Sequence, residues 1–429
     1  MFQPVELRQA QCRMADPAAL FRFLFEPSTH ARRSLCPIEQ ALWRFVPMRS
    51  IMYRTLALCL VALSTLIAST AMAAPTEKDA KPAADRSHID LVIALDTSGS
   101  MDGLIDSARQ KLWNIVNDLA TAKPTPVLRV GLVSFGNDGY TDEGWTKVDL
   151  GLTTDLDLVY EKLMALRTNG GTEYVGRAIH VSHTGMNWSE EKRALKMIFV
   201  AGNESADQDQ KFRAMSEAGK AIADDIIVNT IFCGQDSGEI ASGWRNVAMR
   251  ADGQFASIDQ ERDRVAISTP MDKRLAELSN ELNGTYVHYG SRGVKAKKRQ
   301  ERMDVSARGL GGGAAATRAQ AKASALYDNS SWDLVDGLEN EAVDVKTLAA
   351  AELPPEMRSM NPRQREAYVK KMATKRDRIK KEIASLSKKR DAYIKAEMKK
   401  QNRDAQDGFD KAVRSTIRKQ ARSKGIAIK

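Results

Sequence analysis

Asp96, Ser98 and Ser100 stand at alternate positions in the segment Asp96-Thr97-Ser98-Gly99-Ser100-Met101. One carboxylate and two hydroxyls at that spacing on a loop can turn toward a common point. A divalent cation such as Mg2+ asks for an octahedron of hard oxygens and keeps several waters. The two serines can ligate it directly while the aspartate supplies charge. The same residues could instead cap a helix with no ion, because Ser and Asp favour helix N-termini. A second loop, Asn169-Gly170-Gly171-Thr172-Glu173, follows about 70 residues on, and its glycines let the backbone come close to an ion. Thr172 is the third candidate hydroxyl.

Such loops need a rigid frame. Ile89-Asp90-Leu91-Val92-Ile93-Ala94-Leu95 reads as a buried strand with Asp96 at its carboxyl end. Open α/β sheets bind ligands at that end of their strands. The patterning predicts further strands over 127–135, 145–152, 196–201, 226–233 and 253–258, the second of these an edge strand. Helices are expected over 104–119, 155–166, 173–181, 207–223, 242–249 and 272–282. Strand alternating with helix at this spacing means an α/β, doubly wound, mostly parallel sheet over 88–290.

The strand followed by D-x-S-x-S, with Gly170-Gly171-Thr172 on a later loop, resembles the metal-ion-dependent adhesion site of von Willebrand factor type A domains. The resemblance covers the whole of 88–290. It implies a Rossmann-like fold and a site built from Asp96, Ser98, Ser100 and Thr172. It also implies a cofactor, Mg2+ or another divalent cation such as Mn2+ or Ca2+, that reaches out to a partner's carboxylate. One position departs from the family. The acid that commonly ends the central strand is replaced by Gly202, in Ala201-Gly202-Asn203-Glu204-Ser205. Asn203, Glu204 or Asp207 could supply the missing oxygen, and Glu204 is the first choice. Its bland alternative is a helix-capping acid.

Charge divides the rest. Residues 74–354 hold 33 Lys and Arg against 42 Asp and Glu, a net of −9, while 355–429 hold 24 against 9, a net of +15. The span 291–332, with the basic run Lys295 to Arg299 and the glycines of 309–313, is expected to be a flexible linker. A basic helical tail is expected over 333–429. Asn361-Pro362 is a good helix start. Val369, Met372, Arg376, Ile379, Ile383, Leu386, Arg390 and Tyr393 then form a heptad-like seam with Arg at two places. This seam could pack within a hairpin with the later stripe Phe409, Val413, Ile417 and Ala421, or form a coiled coil with a partner. The charge of 355–429 suits an anionic envelope surface or an acidic partner. With Tyr368, Tyr393 and Phe409 as its aromatics, the tail has no stacking platform for nucleic acid.

Residues 52–73 carry a short basic start, an apolar run too short to span a membrane comfortably, and Ala71-Met72-Ala73. That is a signal peptide cut between Ala73 and Ala74, and it places the protein in the periplasm or outside the cell. An uncleaved anchor is the alternative. Residues 1–51 then form a non-native extension or a long leading segment, and 74–87 a polar linker. Three of the four cysteines precede the cut, so Cys233 alone remains and reads as a buried small hydrophobe.

Enzymatic readings find no support in the residues. No Walker A loop, G-x-S-x-G elbow or H-E-x-x-H pair occurs. His180 and His183 are three apart but lack a third ligand. The sequence therefore points to an exported, cation-dependent binding module that captures a protein partner. The alternative is a structural envelope protein held by its basic tail, with the α/β domain a metal-free scaffold.

Overall fold

The computed structural model describes residues 87–428, apart from 104, 120–121, 124, 259–266 and 401–407. The expected signal peptide, its cleavage point and the segments before residue 87 lie outside the described residues.

A six-stranded sheet is the centre. Its strands are β1 (His88–Asp96), β3 (Val127–Phe135), β4 (Thr146–Thr153), β5 (Leu195–Gly202), β6 (Ile226–Phe232) and β7 (Phe255–Ser257), ordered β4-β3-β1-β5-β6-β7. All neighbours pair in parallel except β3 and β4. β1 is buried on both faces, as its near-continuous apolar run requires. Alternate residues feed two cores. Ile89, Leu91, Ile93 and Leu95 face one, and Val92 and Ala94 the other. β4 is mostly exposed or half-buried and forms one edge of the sheet.

The helices follow the strands: α1 (Ile105–Leu119), α2 (Leu156–Ala165), α3 (Val175–Thr184), α4 (Ala214–Ala223), α5 (Glu239–Arg250) and α6 (Asp272–Asn283). The helix expected over 207–223 begins only at Ala214. Asp209 accepts from the backbone N–H groups of Lys211 (2.8 Å) and Phe212 (3.2 Å), and Arg177 Nε fixes it at 2.8 Å. These local bonds compete with a helix start.

The expected linker over 291–332 is helical instead. It forms α7 (Gly290–Gly309) and α8 (Gly312–Ala323), joined at Gly311, whose φ of +115° suits glycine. Their polar residues are used inside. Arg318 Nε donates to Asp304 at 3.0 Å, and its Nη2 also pairs with Asp157 on α2. Lys322 Nζ donates to Asp304 at 2.6 Å and to the Ser279 carbonyl at 3.1 Å. Burial lowers the Lys322 ammonium to about 8 against the pull of Asp304.

The C-terminal segment docks on the same body. After α9 (Leu334–Glu339), α10 (Pro362–Lys400) starts where Asn361 Oδ1 caps Gln364 N at 3.0 Å and Gln364 Oε1 accepts from Asn361 N at 2.9 Å. Its seam residues Val369, Arg376, Ile379 and Ile383 are buried. Burying each isoleucine contributes about 1.5–3 kcal/mol. Arg376 Nη1 donates to Asp333 (2.7 Å) and Asp336 (2.5 Å), and Arg390 Nε to Asp272 (2.8 Å). The seam thus meets acids of its own chain. Next, α11 (Gly408–Ser423) lays Val413, Ile417 and Ala421 into the main core. Asn229 on β6 and Gln420 exchange amide hydrogen bonds of 2.8 and 3.3 Å. Finally β8 (Ala427–Ile428) pairs antiparallel with β2 (Ala122–Lys123). No helix among the described residues is long and apolar enough to cross a membrane.

Candidate functional site

Parallel pairing sets β3 and β5 on either side of β1, so the chain leaves β1 at the point where the strand order reverses. Asp96 ends β1 and is fully buried. Its Oδ1 accepts from Ser98 N at 2.8 Å, which turns the chain upward. Thr97 donates its backbone N–H to the Phe135 carbonyl at 2.8 Å, and its hydroxyl lies 2.7 Å from that of Tyr140. Gly99 N donates to the Gly170 carbonyl (2.8 Å) and Asn169 N to the Thr97 carbonyl (2.9 Å). Backbone bonds therefore hold the first two loops together. Gly136, at φ +82°, lets the end of β3 pass: a Cβ there would lie 2.6 Å from Asp96 Oδ1.

The polar groups converge above this floor. The Ser98 and Ser100 hydroxyl oxygens are 2.8 Å apart. Ser100 Oγ stands 3.1 Å from Glu173 Oε1 and 3.1 Å from Asn203 Oδ1, either of which can accept its proton. Glu173 is buried to 1% exposure and lies against Asp96. Burial raises the Asp96 carboxyl well above the usual range, and the charge of Glu173 raises it further. Burial likewise raises Glu173, with Glu204 adding to it. Asp96 Oδ2 is buried with no hydrogen-bond partner. Two carboxyl groups thus meet out of water, with no lysine or arginine among the strongest influences on either. Such a pair is stable only with a proton or a cation between its members.

A divalent ion fits this donor set. Hydroxyl and carboxylate oxygens are what Mg2+ or Ca2+ takes, and a soft-metal site is ruled out by the absence of nitrogen and sulfur. Asp96, Ser98 and Ser100 come together as the sequence predicts. Thr172 stands on the second loop, where it bridges to Gly136. Among the described residues no cluster of three or more His, Cys, Asp or Glu is placed to hold a metal. A cation here would have to be held in part by hydroxyls.

The third loop behaves differently from the first choice made for it. Glu204 is exposed, and its carboxylate accepts from Gln208 Nε2 at 3.2 Å. Its carbonyl accepts from Trp244 Nε1 at 2.6 Å. Asn203, the neighbouring alternative, is the residue that reaches Ser100. Glu173 was absent from the sequence-derived set. It reads there as the first residue of a helix, whereas α3 starts at Val175 and leaves Glu173 in the loop. Its place directly after Gly170-Gly171-Thr172 was the available signal.

The remaining candidates are structural. His180 Nδ1 lies 3.0 Å from Glu217 and His183 Nε2 lies 2.7 Å from Asp224, so each ring answers a separate acid. Cys233 is buried, and burial pushes its thiol far above the ordinary value.

Residues 90–264 match the family model for the von Willebrand factor type A domain. No curated protein sequence matches the chain. Among solved structures, the conserved hypothetical protein BatB from Bacteroides thetaiotaomicron is 16% identical, over 40% of this chain and 90% of its own, with a TM-score of 0.32. The SpRpn10 VWA domain is 17% identical, over 40% of this chain and 89% of its own, at 0.32. Proximal thread matrix protein 1 from the mussel byssus, solved with a zinc-occupied MIDAS motif, is 14% identical, over 41% of this chain and 43% of its own, at 0.32. Residues 90–264 of this chain are a von Willebrand factor type A domain.

Proposed function

We propose that the protein is an exported binding module that captures a protein partner through a divalent cation. The observation that carries this reading is Asp96: fully buried, with one oxygen unpartnered, beneath two hydroxyls that share its loop. Ser98, Ser100 and Thr172 would hold the ion, with Asp96 supplying charge. When bound, the ion offers a Lewis-acidic open position to a partner's carboxylate. Mg2+ suits the small oxygen-only set best, with Mn2+ or Ca2+ as substitutes. Type A domains are generally interaction modules, which favours binding as the role of this site.

Titration of the full chain with Mn2+, followed by electron paramagnetic resonance of the free ion, tests this. Saturable binding that Asp96→Ala abolishes is expected. Absence of saturable binding at millimolar Mn2+ overturns the reading.

The outer face of α10, with Lys371, Lys375, Arg378, Lys388 and Lys389 exposed, supports an accessory contact with an anionic surface. Reversing the charge of Lys388 and Lys389 should release the protein from anionic vesicles. Unchanged retention would sink this contact.

A further inference from the structure

Gly202 removes from the third loop the acid that the type A pattern commonly carries. The structure shows why the position takes no side chain. It is the last residue of β5, and a Cβ there would stand 3.1 Å from both Asp96 Oδ2 and the Trp244 ring. Either the carboxylate or the indole would have to move. Trp244 is fully buried and hydrogen-bonded to the Glu204 carbonyl, so it has little freedom to give way. A cation at Ser98 and Ser100 would then have Asp96 as its one acid, and two positive charges would meet one negative charge in a buried place.

Glu173 stands where the second charge is needed. It comes from the second loop instead of the third. Its Oε1 is 3.1 Å from Ser100 Oγ, and its side chain also meets the Ser98 hydroxyl and the Asp96 carboxyl. Its backbone is fixed from two sides: its N–H donates to Gln208 Oε1 at 3.3 Å, and its carbonyl accepts from Val175 N at 3.1 Å. An acid held this rigidly at 1% exposure, against another buried acid whose Oδ2 has no partner, needs a proton or a cation to share, and the hydroxyls beside it suit a cation. We infer that Glu173 supplies the second carboxylate of the cation site, in place of the acid missing at Gly202. Asn203 Oδ1, also 3.1 Å from Ser100 Oγ, adds a neutral oxygen from the third loop. The charge of the donor set then matches that of the ion.

This inference rests on the cation-site reading, and the experiment separates the two. Mn2+ affinity of the full chain is measured for wild type and Glu173→Gln, which keeps size and one oxygen but loses the charge. A loss of at least about 10-fold in affinity is expected. If wild type binds no Mn2+, the cation site itself fails. If wild type binds and Glu173→Gln binds equally well, the inference alone fails. Melting without metal adds a second readout. Glu173→Gln should melt at or above wild type, because one of two facing acids is gone. A Glu173 with a purely structural role would lower the melting temperature and leave Mn2+ affinity unchanged, which overturns the inference. Should the variant not fold, anomalous scattering from Mn2+-soaked wild-type crystals decides. Manganese in contact with Glu173 supports the inference, and manganese on Ser98 and Ser100 alone overturns it.

Discussion

Arg376→Ala should destabilise the fold severely although the residue lies far from the candidate site loops in sequence. Its guanidinium is 2% exposed and makes four hydrogen bonds: to Asp333 (2.7 Å), Asp336 (2.5 Å), the Thr285 hydroxyl (3.1 Å) and the Thr285 carbonyl (2.8 Å). It also stacks 4.0 Å from the centre of the Tyr286 ring. Removing one member of a buried ion pair costs about 3–5 kcal/mol, because the other is left charged and dry. Here the stranded acids keep some partners. Val287 N still donates to Asp333 at 2.6 Å, and Asn329 N to Asp336 at 3.0 Å. The cost should therefore fall at about 3 kcal/mol, a drop of roughly 4 °C in melting temperature for a folded body of this size. Urea unfolding followed by circular dichroism gives the measurement, with exposed Arg378→Ala as a control expected within about 0.5 kcal/mol of wild type. A loss below about 1 kcal/mol for Arg376→Ala would refute the docking of α10 and restore an independent tail.

Two further outcomes are expected. Asp96 has a raised carboxyl pKa in the folded state, so without metal its contribution is fully present below the ordinary aspartate value of 3.8 and is lost as pH rises through the folded value. Melting without metal should fall as pH rises from 3.8 toward the raised folded value and level off above it. The rise in melting temperature caused by Mg2+ should grow over the same range, and a Mg2+ effect independent of pH would contradict the arrangement. Cys233 is buried, and its thiol is held neutral by burial first and the charge of Asp96 second. Peptide mapping should find it unlabelled by a thiol reagent in the native chain and labelled after denaturation. Rapid native labelling would show that the end of β6 opens.

Much of the sheet could be read from sequence because its strands are apolar on both faces. β1 and β3 have the expected bounds, His88–Asp96 and Val127–Phe135. The loop chemistry of Asp96, Ser98 and Ser100 followed from their place at the end of such a strand. The expectation of a linker over 291–332 fails for the opposite reason. Its interior contacts are made by Arg318 and Lys322, which are 1% and 0% exposed and look like solvent residues in a sequence. Their partners Asp157 and Asp304 are remote or polar, so no apolar period announces the helices. The arginines of the α10 seam looked like interruptions. Asp272, Asp333 and Asp336 make them attachment points. Glu173 was hidden because an acid beside a helix start has an ordinary explanation in the helix dipole. Only the three-dimensional closeness of Asp96 shows that it serves another purpose.

The amide exchange between Asn229 and Gln420 bears on what counts as one unit of this protein. Asn229 sits on a central strand at 1% exposure, and its partner comes 191 residues later. Asp157 depends in the same way on Arg318, 161 residues on, and β2 on β8. Cutting the chain at the end of the type A region would leave a buried amide and a buried carboxylate without these partners. The domain is therefore not a detachable cassette here. Contacts of such sequence separation also form late and slowly.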